Sequence, residues 1–498
     1  MNGAPRPLAT LLDEAVAAHG DDVALRLDDS SWSYRELNRL VDRTASFLAA
    51  HGVVEGSRVG LSAGNGVEFV AVMFATFRLG ASLVMVSTAW RDREVEHALA
   101  ISEPTHIVTD GSGAASLVEL VTDRPVLPIA AIHDGAAGVA APARVGLDDL
   151  ALMVFSSGTT GLPKAVRHSH RTIFHGTMHW VDALGLSSTD RLQITTPPFH
   201  ILGALNLLAV VAAGASVRLH RRFDLDAMLQ AIERDGVTIE MAVAPIALAM
   251  ASHVDLERFD LSSLRYIMWG ATPVTASVAE TITRRSGVRV LPAYGASELP
   301  VIAVNPVDRP DEWRLDSVGL PPAGVTMRVI DLESGDIAAP GAVGELQARS
   351  PSLMVGYLPD HGQPIDDGWY ATGDVGSGDA AGWVTITDRV KEMIKVNGFQ
   401  VAPAEVEGVL LGHPGIVDCA VFGVADDRTG EAVVAAVVVS DDLTASADTV
   451  EELRSLVAAN LASYKRVAEV TFVEQIPRLP SGKVLRRELK AGYARPSA

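Results

Sequence analysis

Short apolar runs alternate with longer amphipathic stretches through the first half of this chain. That alternation restricts it to parallel α/β sheets, because each apolar strand needs helices to cover its faces. Residues 8–19 and 34–51 read as amphipathic helices, 58–62 as a buried strand, 66–80 as a helix and 83–86 as a strand. The pattern continues with a helix over 91–102 and a strand over 105–109. It resumes as strand 193–196, helix 202–213, strand 216–219, helix 226–235 and strand 239–244. From about residue 317 to 387 the texture changes to alternating strands separated by Gly and Pro turns, which predicts a small β-rich subdomain. From residue 388 onward a helix at 403–411, strands at 416–422 and 432–439 and a helix at 449–461 predict a small α+β domain. The expected organisation is an N-terminal domain over 1–387 and a C-terminal domain over 388–498.

Length and composition agree with that division. At 498 residues the chain is too long for one ordinary core, and 48% hydrophobic with 20% charged residues is a globular balance. The formal net charge of -20 disfavours nucleic acid and anionic membranes as partners. Cys419 is the one cysteine, so no intrachain disulfide can form, and its alternating apolar surroundings predict a buried thiol. No apolar run approaches the ~20 residues of a membrane helix. Asp13 and Glu14 interrupt the N-terminal segment before any signal-peptide core forms. The expectation is a soluble, cytoplasmic chain without membrane insertion.

The stretch Phe155-Ser156-Ser157-Gly158-Thr159-Thr160-Gly161-Leu162-Pro163-Lys164 carries the first chemistry. Glycines let backbone N–H groups approach an anion, hydroxyls add donors and the lysine adds charge, a set suited to a polyphosphate. An apolar strand precedes it, and a helix is expected over 166–179. It is not a Walker loop, because Pro163 precedes the lysine and Ala165 follows it. By composition alone it also reads as a surface loop.

Further motifs follow in order: Tyr294-Gly295-Ala296-Ser297-Glu298, then Trp369-Tyr370-Ala371-Thr372-Gly373-Asp374, then the run from Asp388-Arg389 through Lys391 to Gly398-Phe399, and Pro480-Ser481-Gly482-Lys483. Taken singly, Asp374 reads equally as a turn residue, Glu298 as a surface charge, Tyr294 as core and Lys483 as one cation of a solvated basic tail. Together and in this order they resemble the adenylate-forming superfamily: acyl- and aryl-coenzyme A synthetases, luciferase and peptide-synthetase adenylation domains. The resemblance spans residues 8–490 and is nearest in style to stand-alone acyl-coenzyme A synthetases.

The resemblance implies two half-reactions that share one site, with the C-terminal domain turning between them about a hinge at Lys391. A carboxylic acid is first joined to AMP from ATP, releasing pyrophosphate, and is then passed to coenzyme A. In this reading Ser156, Ser157, Gly158, Thr159, Thr160, Gly161 and Lys164 hold the β- and γ-phosphates. Ser297, where the family usually has threonine, meets the α-phosphate, and Glu298 holds Mg²⁺. Gly270, Ala271 and Tyr294 receive the adenine, Asp374 and Arg389 the ribose, and Gly398 lines the thiol tunnel. Lys483 is the implied adenylation catalyst, and His200 stands between acyl pocket and tunnel, with a packed histidine as the alternative. Ile201, Ala244, Trp269, Leu299 and Val301 imply an apolar acid pocket, aliphatic or aromatic. Trp269 departs from the small residue usual there. The aspartate that amino-acid-activating relatives place early in the segment matching 199–203 is absent. The acceptor is coenzyme A or a separate carrier protein, and a homodimer is allowed. Transfer to an amine or another nucleophile, and a non-catalytic nucleotide-binding homologue, remain as alternatives.

Overall fold

The computed structural model describes residues 4–111, 117, 121–134, 143–156, 163–270, 276–359, 364–397, 399–426, 428–440, 442–478 and 484–493. Two large sheets dominate. An eight-stranded sheet runs in the order Ala303–Val304, Val290–Tyr294, Tyr266–Trp269, Ile239–Ala242, Arg191–Ile194, Ser216–Leu219, Val23–Leu27 and Ser30–Ser33. Its interior pairs are parallel and its two edge strands antiparallel. A seven-stranded sheet runs Gly356–Leu358, Lys164–Ser169, Leu150–Ser156, Ser82–Met85, Arg58–Ser62, His106–Thr109 and Val126–Pro128.

One hydrophobic cluster joins the two sheets. Leu61, Leu83 and Leu152 enter it from one sheet and Leu192, Val217 and Leu291 from the other. The Val67–Arg78 helix is buried at every residue except Glu68, so it is a core helix rather than a surface one. Its terminal Arg78 is 8% exposed and is paired with Asp42 at 2.5 Å, Asp13 at 2.7 Å and Asn38 at 2.9 Å. The Ile201–Ala213 helix is likewise apolar almost throughout, and only Ile201, Leu202 and Ala212 are less than fully buried. Each fully buried Leu or Val there contributes about 1.5–3 kcal/mol.

The β-rich region forms a five-stranded sheet from Thr326–Ile330, Gly344–Arg349, Ile365–Asp366, Trp369–Gly378 and Val384–Arg389. One strand of this region, Gly356–Leu358, leaves it to pair with Lys164–Ser169. The strand Val384–Arg389 crosses the residue-387 boundary expected from sequence, and Arg389 still pairs with Asp374. Beyond it a third core forms around Val406, Cys419, Val421, Val437 and Leu453. Burial pushes the Cys419 thiol pKa up, as suits an inert packed cysteine. The basic tail is tied down: Arg478 reaches Asp418 at 2.7 Å and Arg486 reaches Glu407 at 2.6 Å.

One local expectation is corrected. The stretch after Lys164 is not helical from 166; Lys164–Ser169 is a strand antiparallel to Leu150–Ser156, with Lys164 opposite Ser156. The helix begins at His170, where Ser169 accepts the N–H of Thr172 as its cap. The polyphosphate-type loop therefore closes a β-hairpin rather than opening a helix. Val166 and His168 alternate with half-buried Arg167 between two neighbouring strands, and that lateral pairing outweighs helical periodicity.

Candidate active site

Three of the expected site residues lie at the carboxyl ends of parallel strands, the usual place for a ligand in such sheets. Ala244 follows Ile239–Ala242, Gly270 follows Tyr266–Trp269, and Tyr294 ends Val290–Tyr294. Tyr294 is followed by a tight turn in which Ala296 N–H bonds the Leu299 carbonyl and Ile302 N–H the Tyr294 carbonyl. Gly295 is required there, since a Cβ would lie 2.0 Å from the Pro300 carbonyl oxygen. The turn presents Ser297 and Glu298.

Two short hydrogen-bonded groups define the site. In the first, the Tyr294 hydroxyl donates to Asp374 at 2.5 Å, and the Arg389 guanidinium meets the other Asp374 oxygen at 2.9 Å. Asp374 is 6% exposed, and each of its oxygens keeps a lone pair for a further donor. Burial, then the neighbouring Asp374 charge, holds the Tyr294 hydroxyl far above the usual tyrosine range, so it stays a donor. In the second, the Tyr357 hydroxyl donates to Glu298 at 2.6 Å. The Lys164 ammonium stands 5.2 Å from the centre of the same ring. The strand that left the β-rich sheet thus carries Tyr357 to the hairpin and to Glu298.

His168 fixes the backbone of the same turn. Its Nε2 donates to the Ser297 carbonyl at 2.8 Å, and Nδ1 accepts from Thr172 at 3.2 Å. Burial lowers its pKa to about 4, so it is a neutral structural donor. Nothing in the sequence distinguished His168 or Tyr357. His168 sits among Arg167, Ser169 and His170, so neither residue carried a signal short of knowing which strands pair.

His200 is the N-cap of the Ile201–Ala213 helix, and its side chain makes no capping bond. It is solvent-exposed, 4.8 Å from the Phe199 ring, and desolvation by its surroundings lowers its pKa. Asn65 steadies this loop from the other sheet, donating to the carbonyls of Thr196 at 3.2 Å and His220 at 2.7 Å. Ile201 and Ala244 are half-buried, whereas Leu299 and Val301 are 0% and 1% exposed. Trp269 is 1% exposed and packs with Ala242, Ile246 and Val290 in a core of its own. Its neighbour Met268 faces the other core, as strand alternation requires. Trp269 thus fills the core beside this sheet, against which the half-buried Ala244 also packs.

Lys391 lies exposed in the turn after Arg389, where Glu392 and Met393 N–H groups bond the Arg389 carbonyl. Ser157, Gly158, Thr159, Thr160, Gly161, Ala271, Gly398 and Lys483 lie outside the described residues, while Ser156 and Lys164 frame the loop from its two strands. Among the described residues no three metal-binding side chains cluster. A magnesium ion here would have the buried Glu298 carboxylate as its protein ligand and take its other oxygens from phosphate and water, the pattern Mg²⁺ prefers. Among the described residues no helix is long and apolar enough to cross a membrane.

Fold and site together define an adenylate-forming enzyme: two α/β sheets, a hydroxyl-rich hairpin loop, a buried Asp–Tyr–Arg cluster and a smaller C-terminal α+β unit. Comparison with known proteins agrees. The model of the AMP-binding enzymes matches residues 12–358, and that of their C-terminal domain matches residues 405–483. The chain is 35% identical to 4-coumarate–CoA ligase 5 of Oryza sativa subsp. japonica, over 93% of this chain and 89% of that one. It is 33% identical to a feruloyl-CoA synthase of Amycolatopsis sp, over 94% and 96%. The solved amide bond synthetase McbA of Marinactinospora thermotolerans superposes with a TM-score of 0.89 at 30% identity, covering 97% and 99%. The chain belongs to the AMP-binding enzyme family.

Proposed function

We propose that this chain joins an apolar carboxylic acid, aromatic or aliphatic, to coenzyme A through an acyl adenylate, consuming ATP with Mg²⁺. The observation that carries the reading is the meeting of Glu298, Tyr357 and Lys164 beside the Tyr294–Asp374–Arg389 group. One group suits the phosphate chain and the other the nucleoside. The names of the curated relatives favour aryl acids within that class.

In the first step a carboxylate oxygen bonds the α-phosphorus as the bond to the β-phosphate oxygen breaks, and pyrophosphate leaves. Two anions must approach, so the protein's task is charge neutralisation and alignment. Bound Mg²⁺ supplies charge at the phosphate oxygens. Lys164 and the loop hydroxyls serve the leaving group, Ser297 and Lys483 the α-phosphate, and Asp374 with Arg389 the ribose. In the second step the thiol sulfur bonds the acyl carbon, its proton is lost and AMP departs. His200 stands at the boundary of the two substrates, and the residues beyond Lys391 turn about it between the steps.

The test is a panel of acids assayed for pyrophosphate, acyl-AMP and thioester, with wild type and Lys483→Ala. Wild type should form both products, and the variant should lose adenylation by at least about a hundredfold. Unchanged adenylation in the variant would remove Lys483 from the mechanism. The likeness to an amide bond synthetase favours a second reading, in which an amine attacks the adenylate instead. Amide formation without thioester formation would select it.

A further inference from the structure

The helix Ala276–Ser286 and the segment 313–316 enclose a cavity of about 540 Å³ beside the first residues of the strand Val290–Tyr294. A space of that volume takes a small organic molecule. Val290 lines the cavity at the amino end of this strand, and Tyr294 stands at its carboxyl end, about 13 Å further along. The cavity is therefore separate from the Tyr294–Asp374–Arg389 group.

Arg284, Arg289 and Arg314 line it together, in a chain whose net charge is -20. Two of the three are held in place. Arg289 lies over the Trp313 ring at 4.6 Å and donates to the carbonyls of Pro310 at 2.7 Å and Trp313 at 3.3 Å. The Trp313 indole is itself fixed by its N–H bond to the Pro306 carbonyl at 2.7 Å. Arg314 lies over the Trp383 ring at 4.2 Å and meets Asp379 at 3.4 Å, an exposed pair worth little. A guanidinium has five N–H donors, so each keeps enough for a forked pair of bonds to one oxyanion. Arg284 bonds the Thr281 hydroxyl at 3.2 Å, and among the described residues neither Arg284 nor Arg289 has a carboxylate partner. Glu280 and Asp316 also line the cavity, and among the described residues neither pairs with an arginine. Three guanidinium groups against two carboxylates suit a single oxyanion rather than a polyanion. Val290 and Leu315 add an apolar wall.

We propose that this cavity is a second small-molecule site, for an organic anion with one carboxylate or phosphate group. Arg289 and Arg314 grip the oxyanion, Arg284 adds charge at the mouth, and the ligand's apolar body rests on Val290 and Leu315. Stacking on Trp313 and Trp383 holds two of the guanidinium groups before any ligand arrives, so less side-chain entropy is lost on binding. The inference goes beyond acid activation and does not depend on it.

The experiment titrates phenyl phosphate and phenylacetate separately into the full chain without ATP, read by calorimetry. At least one probe should bind wild type saturably, and the tighter of the two tells whether the occupant is a phosphate ester or a carboxylate. Arg289→Gln and Arg284→Gln should each weaken that binding at least about tenfold. Arg222→Gln, an exposed arginine outside the cavity, should leave it unchanged. Arg284 makes one side-chain bond to its own helix, so Arg284→Gln carries the test if Arg289→Gln does not fold. Adenylation by the variants should stay within about twofold of wild type, since neither arginine belongs to the active site. Absence of saturable binding by either probe overturns the proposal. So does an affinity unchanged in both cavity variants, which would place the probe elsewhere, or a loss as large in Arg222→Gln, which would make the effect one of net charge. Each of these results leaves the proposed acid activation standing, because that is read by pyrophosphate and acyl-AMP.

Discussion

Tyr357 donates its phenolic proton to Glu298 at 2.6 Å while the Lys164 ammonium stands 5.2 Å from the centre of the same ring. The tyrosine reaches this place because Gly356–Leu358 adds to the edge of Lys164–Ser169, with Tyr357 opposite Val166. One side chain thereby spaces the lysine that closes the phosphate-type loop from the carboxylate suited to the metal. Tyr357→Phe keeps the ring under Lys164 and frees Glu298 to rotate. About 1 kcal/mol of alignment should be lost, seen as a several-fold higher magnesium requirement for pyrophosphate release and a similar fall in adenylation. A magnesium titration curve identical to wild type would show that Glu298 needs no such support.

Asp374 holds Tyr294 and Arg389 at once, so its loss should be felt by both. Asp374→Ala should raise the KM for ATP at least about tenfold and lower stability by roughly 1–3 kcal/mol, since the Tyr294 hydroxyl is then left buried without an acceptor. Asp374→Asn can still accept from Tyr294 and should recover most of the stability but little of the affinity. Urea unfolding read beside ATP kinetics separates the two effects.

Trp269 is a core residue in this fold, so its truncation should be a stability lesion. Trp269→Ala should cost about 3–5 kcal/mol, with the rank order of acids in the panel unchanged. A changed acid preference at near-normal stability would return Trp269 to the pocket wall.

Glu240 is fully buried, with Gln193 donating to it at 2.5 Å, and its other oxygen has no partner among the described residues. Burial raises its pKa to about 8, against the lowering effect of its bonds to Gln193 and the Met241 backbone. A raised folded-state pKa means the folded chain holds this proton more tightly than the unfolded chain does. Its contribution is fully present below the ordinary glutamate range and is lost as pH rises to about 8. Glu240→Gln should therefore gain stability over wild type progressively between pH 5 and 8, by a few kcal/mol at most. Thermal unfolding of both proteins across that range checks it, and a constant difference would count against a buried protonated carboxyl.

The buried histidines pull the other way. His168, His170, His179 and His220 all have pKa values lowered to about 4, in each case chiefly by burial. A depressed folded-state pKa means the unfolded chain takes up protons first as pH falls. Stability is fully present above about pH 6.5 and declines from there toward pH 4. Denaturant titrations at pH 7.5, 6 and 5 should show a falling midpoint with an unchanged slope.

Local pattern carried much of the architecture. The amphipathic helix expected over 34–51 is Tyr34–Ala50, opened by a Ser33–Glu36 capping box, and the helix over 403–411 is Pro403–Leu411. Both depend on contacts within a few residues. The expectation failed at 166–169, where the same apolar residues fit either a helix or a strand and the neighbouring strands decided. At Trp269 periodicity showed burial, and only the strand order showed which side of the sheet receives it.

Residue types alone indicated a polyphosphate-binding loop, and the ordered motifs from Ser156 to Lys483 indicated an adenylating chain through their resemblance to the adenylate-forming superfamily. What only the folded chain decided is which distant groups meet. Tyr357 reaches Glu298 across 59 positions and Tyr294 reaches Asp374 across 80. Such pairings follow from strand order and helix packing, which depend on the free energy of the whole core rather than on any segment's own preference.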